Sequence, residues 1–94
     1  MDLRERYSFD ELANEAERLV IQELGRQLEE TGNMAVADNE GLVLDMAAYA
    51  LNRVPPMYRA NLLGRIYADT LKERYGDEIR SAVASALRKI IDSR

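Results

Sequence analysis

The hydrophobic positions fall into three runs with helical spacing, and the runs differ in kind. In the first, Phe9, Leu12, Ala13, Ala16, Leu19, Val20, Leu24 and Leu28 recur at intervals of three and four, the stripe of an amphipathic helix. Glu15, Glu17, Arg18, Arg26, Glu29 and Glu30 take its wetter faces. Ser8 and Glu11 have the spacing of a capping box, and Tyr7 and Leu12 stand where a hydrophobic staple would place them. Gly32 is a good stop, because Gly enters left-handed backbone at low cost. These signals predict a helix over 8–31, with an N-terminal arm at 1–7.

The second run, Leu42, Val43, Leu44, Met46, Ala47, Ala48, Ala50 and Leu51, is apolar almost all the way round. It predicts a helix over 39–54 that is buried on most sides. The connection from Asn33 to Gly41 supplies Asp38 and Asn39 as possible caps. Pro55-Pro56 lacks two N–H donors and pushes the preceding backbone toward extended geometry, so residues 55–61 form a stiff elbow. The third run, Ile79, Ala82, Val83, Ala86, Leu87, Ile90 and Ile91, predicts a C-terminal helix over 77–92. Asp77 follows Gly76 as its cap, and Arg88, Lys89 and Arg94 suit the negative end of its dipole. Between them, 62–75 reads either as a helix or as a short strand plus a helix: Leu63, Ile66, Tyr67, Leu71 and Tyr75 fit helical spacing, yet 64–68 can also extend. The expected architecture is a single all-α, four-helix domain with at most one short strand, near Ile66. Met34, Met46 and Met57 read as core filler.

A chain of 94 residues is one small domain. It buries only roughly 60–65% of the surface of its unfolded form, so self-association is expected. Lack of Cys rules out disulfides and thiolate metal sites, and lack of His removes the usual general base and zinc ligand. No apolar run approaches the ~20 residues of a membrane span, and the start carries no signal-peptide pattern. A cytoplasmic domain is the expectation. The net charge of −4 is uneven: residues 1–41 hold 11 acids and 4 bases, residues 42–94 hold 6 acids and 9 bases. An acidic chain is a poor non-specific nucleic-acid binder, but its basic second half suits a small anion.

Three polar residues interrupt the apolar second helix. Asp45, Tyr49 and Asn52 sit at about 0°, 40° and 340°, with Arg53 at about 80°. If the helix is buried, each needs a partner. One reading supplies it internally, with an Arg on Asp45 and the elbow backbone on Asn52. The other supplies it from a ligand. Asp45 can accept from the N1–H and N2–H₂ groups of guanine, and Asn52 offers both donor and acceptor. Arg53, Arg59 and Arg65 flank the elbow with forks suited to phosphate, and Tyr49, Tyr58 and Tyr67 offer faces for stacking. No GxGxxG or Walker-type loop is present, and Ser8, Ser81, Ser85 and Ser93 have no His to activate them, so an enzyme is not expected. The outer face of the last helix, with Arg80, Ser81, Ser85, Arg88 and Lys89, reads as a solvated face rather than a DNA-recognition helix.

The run from Leu44 to Tyr58, with Ala50-Leu51-Asn52-Arg53-Val54-Pro55-Pro56-Met57-Tyr58 at its centre, resembles the central motif of the late competence ComFB family. Gly64-Arg65-Ile66-Tyr67-Ala68 is similar to that family's Gly-x-x-Tyr-Ala segment. The order and length of the flanking helices extend the resemblance over most of the chain. It implies a small, mainly helical, homodimeric bacterial regulator rather than an enzyme, with cyclic di-GMP as ligand in some relatives and an unidentified protein downstream. By the same resemblance the ligand residues are Asp45, Tyr49, Asn52, Arg53, Pro55, Pro56, Tyr58 and Gly64. Some members bind zinc through cysteines near the start of the second helix. This chain has none, so neither metal nor cofactor is expected. It also places Leu44 where nucleotide-binding relatives often have Lys, and Arg59-Ala60-Asn61 where they have small polar residues.

Overall fold

The computed structural model describes residues 1–60 and 68–93. Among them run α1 (Leu3–Arg6), β1 (Ala13–Asn14), α2 (Glu15–Thr31), α3 (Met34–Ala37), α4 (Glu40–Leu51), β2 (Tyr58–Arg59) and α5 (Ala68–Asp92). The architecture is mainly helical, as the periodicity implies, but a two-stranded ladder joins it. β1 and β2 pair antiparallel, with Ala13 opposite Arg59 and Asn14 opposite Tyr58.

The core is the meeting of α2, α4 and α5. α2 contributes Ala16, Leu19, Val20, Leu24 and Leu28, and α5 contributes Ile79, Ala82, Val83, Ala86 and Leu87. Both sets follow the spacing read from the sequence. Ile90 and Ile91 pack half-buried at the far end of α5. Gly32 takes φ 65° at the end of α2, and its N–H donates to the Leu28 carbonyl, closing the helix as expected.

The start of α2 departs from the expectation. The helix begins at Glu15, not near Ser8, and its cap is Asn14, whose Oδ1 accepts from the Ala16 amide at 3.1 Å. Ser8 Oγ accepts from the Asp10 amide at 3.2 Å and the Leu12 amide donates to the Phe9 carbonyl at 3.0 Å, so this stretch makes local turns. Tyr7 and Leu12 stay exposed rather than stapling the helix. The apolar period continues through Phe9 and Leu12, but strand pairing at Ala13–Asn14 overrides it. The arm contains the single helical turn α1, capped by Asp2.

α4 is shorter than the predicted 39–54: Asn39 caps it and Asn52 ends it. It is also far less buried. Only Met46 and Ala50 are fully buried, Leu44 is 61% exposed, and Asp45, Ala48 and Asn52 face solvent. The connection before it holds α3, capped by Asn33, with Val36 buried and Met34 exposed rather than filling the core. Met46 and Met57 are core residues as expected. The described part of 62–75, from Ala68 onward, is helical and runs into the helix expected at 77–92 as α5, which passes through Gly76 and Asp77 without a break. A lone Gly costs a helix only about 1 kcal/mol, and the stripe of Leu71, Tyr75 and Ile79 carries the packing across it. Asp77 pairs with Arg80 one turn on instead of starting a helix. The expected short strand near Ile66 lies outside the described residues.

Candidate ligand-binding surface

The candidate site is built at the C-terminal end of α4, where the helix must stop. Pro55 and Pro56 cannot extend it, and Asn52 closes it as the C-cap at φ −76°, ψ −8°, its N–H donating to the Ala48 carbonyl. Its side chain does the same: Nδ2 donates to the Ala48 carbonyl at 3.0 Å, leaving Oδ1 as an acceptor. The Arg53 amide bonds to the Ala50 carbonyl at 3.0 Å, and its guanidinium lies 4.5 Å from the centroid of the Tyr49 ring, one turn back. This is a cation–π stack on the surface.

The direction of the polar strip follows from helix geometry. With Asp45 at 0°, Met46 and Ala50 point at about 100° and 140°, whereas Asn52 points at about 340°. Burying Met46 and Ala50 in the core turns Asp45 and Asn52 outward. The internal partners that burial would require are therefore not needed. The Asp45 side chain makes no ion pair or hydrogen bond among the described residues, and Asn52 bonds its own helix rather than the elbow. Beyond the bend, Val54 and Met57 are buried, with 7% and 5% exposure, and pin the elbow, while Pro55 is half-buried and Pro56 exposed. A shallow hollow of about 390 Å³ opens beside Arg53 against α5, walled by Asp77, Glu78, Ser81, Ala82 and Ser85.

Tyr58 and Arg59 go separate ways. Neighbours on a strand point to opposite faces: Tyr58 is 67% exposed, whereas Arg59 turns inward. There Arg59 Nε pairs with Glu15 Oε1, and Arg18 Nε reaches Glu15 Oε2 at 2.9 Å. The Arg59 hydrogen bond holds the Glu15 carboxyl below its ordinary value, against burial, with Arg18 assisting. Arg59, counted by sequence among the phosphate-facing cations, is committed to a carboxylate. Gly64 and Arg65, and with them Tyr67, lie outside the described residues.

Asp45, Tyr49, Asn52 and Arg53 thus share one outward surface next to the elbow. The hold of Asn14 on Met57 and of Glu15 on Arg59 is not legible in the sequence, because the partners are 43 and 44 residues apart. Nothing in the local pattern separates Glu15 from the other acids of α2. A second hollow, about 650 Å³, lies between α2 and α5 over Leu19 and Ile79. On its rim Glu23 binds Arg26 at 2.6 Å and Gln27 at 2.8 Å. The Arg26 hydrogen bond lowers the Glu23 carboxyl against burial and raises the guanidinium in turn. Among the described residues no acidic cluster is arranged to hold a metal ion, and no helix is long and apolar enough to cross a membrane.

A family model described as late competence development protein ComFB matches residues 13–94, which takes in both strands and every helix from α2 onward. No curated protein matches the chain.

Proposed function

The chain belongs to the late competence development protein ComFB family, and from that premise we propose that it is a non-enzymatic receptor for a cyclic dinucleotide, with cyclic di-GMP the foremost candidate. The observation that carries this reading is the Tyr49–Arg53 stack, flanked by Asp45 and Asn52 at the exposed end of α4. A guanine edge presents donors that a carboxylate accepts, its face suits a flat aromatic or guanidinium surface, and a phosphodiester suits the Arg fork. A homodimer would set two such surfaces against a ligand that is itself two-fold symmetric. Binding would then favour the form that engages a downstream protein, to the extent that the two forms differ in affinity. Calorimetric titration of the whole chain with cyclic di-GMP, cyclic di-AMP and linear diguanylate tests the reading. Saturable heat with a cyclic dinucleotide supports it, and no heat at high micromolar protein defeats it.

The exposed apolar side of α4, with Leu44 outward, favours a second reading. On that reading the chain is a ligand-independent homodimeric interaction module whose polar strip sets the register of its partner.

A further inference from the structure

Glu15 is the one buried charged side chain among the described residues, 5% exposed, and the surface described above makes no use of it. An ion pair in such a place is a weak source of stability, because desolvation offsets the attraction. Its position is more informative. Glu15 and Asn14 together hold the segment that follows the elbow: Asn14 Oδ1 accepts from the Met57 amide at 2.8 Å, the Glu15 amide donates to the Met57 carbonyl at 2.8 Å, and the Glu15 carboxylate takes Arg59. Tyr58 lies between the two anchored residues. A ladder of two residues per strand is too short to hold itself, so these contacts decide where Tyr58 stands. Arg59 is drawn to the inner face, and strand alternation then sends the Tyr58 ring outward.

We propose that Glu15, acting through Arg59, is a positioning residue that presents the Tyr58 ring beside the Pro55-Pro56 elbow as a preformed stacking platform for a nucleobase. The inference rests on the cyclic-dinucleotide reading and adds to it a residue outside the elbow motif. A ring ordered before the ligand arrives spares binding the cost of ordering it. Arg18 occupies the second Glu15 oxygen, so the clamp is complete without a ligand.

The test is a double-mutant cycle on the full chain, with cyclic di-GMP titrated into the wild type, Glu15→Gln, Tyr58→Ala and the double variant. Amide hydrogen exchange at Met57 and Arg59 is followed in parallel without ligand. Glu15→Gln is expected to weaken binding roughly three- to tenfold and to lower protection at Met57. In the Tyr58→Ala background it is expected to cost nothing more. Arg59→Lys keeps the charge but loses the planar fork, and serves as the milder variant with the same expected pattern should Glu15→Gln not fold. Unchanged affinity, additive losses in the double variant or unchanged exchange protection each overturn the role. A wild type that binds no cyclic dinucleotide defeats the functional reading itself. Lowered protection in Glu15→Gln would then reduce the clamp to architecture and overturn the positioning role as well.

Discussion

At the scale of single residues, the chain keeps its buried charge and its exposed charges for different work. The Glu15 carboxyl is lowered chiefly by Arg59, so the fold favours its ionised form. That contribution is complete above the ordinary Glu range near about 4.3 and disappears as pH falls through the lower folded value. Denaturant midpoints measured from pH 7 downward should therefore fall more steeply below about pH 4 in the wild type than in Glu15→Gln. The variant should be less stable at pH 7 by about 1.5–3 kcal/mol, the value of hydrogen bonds to a charged group. Arg53 is the contrast. The only partner of its guanidinium among the described residues is the Tyr49 ring, so Arg53→Ala should cost at most about 1 kcal/mol of stability while weakening cyclic dinucleotide binding at least tenfold in the calorimeter.

At the scale of elements, two glycines of α2 show how position decides a residue's worth. Gly25 lies inside the helix on an exposed face, and a methyl group there would meet nothing within 4 Å. Gly25→Ala should therefore raise stability by about 0.5–1 kcal/mol. Gly32 has equal space but stands at φ 65°, where an L side chain is strained. Gly32→Ala should lower stability by about 1–2 kcal/mol. Thermal or denaturant unfolding of the two variants gives shifts of opposite sign if the helix ends at Gly32. The same logic explains α5: Gly76 sits inside it in right-handed backbone, so it does not stop the helix.

At the scale of the whole molecule, the chain has more surface than its size calls for. Its solvent-accessible surface is 6691 Å², against roughly 5,500 Å² for a folded monomer of this mass. The radius of gyration is 15.2 Å, against about 12–13 Å for a compact domain of this length. The 25 residues of α5 alone span ~37 Å. The surplus, roughly 1,200 Å², is about half as large again as the ~800 Å² that each partner contributes to a standard interface. Leu44, outward on α4 next to Asp45, is one of the large apolar side chains exposed on that surface. Leu44→Glu should shift sedimentation equilibrium toward the monomer while leaving unfolding of the dilute, monomeric protein within about 0.5 kcal/mol of wild type. An unchanged mass would rule out a dimer through this face.

Local patterns alone determined the helical class, the inward stripes of α2 and α5, the stop at Gly32 and the bend at Pro55-Pro56. Each depends on spacing or on the chemistry of one or two neighbouring residues. The polar strip was legible for the same reason, since Asp45, Tyr49 and Asn52 lie within two turns of one helix. Tertiary structure decided which way that strip faces: the number of core-facing sides on an apolar helix depends on what packs against it, and α2 and α5 cover only the side of Met46 and Ala50. It also decided that Ala13–Asn14 leaves the helix to pair with Tyr58–Arg59, and that Arg59 turns from solvent to Glu15. Those contacts join residues more than forty positions apart, where no periodicity reaches, and their stability comes from partners that only the folded chain brings together.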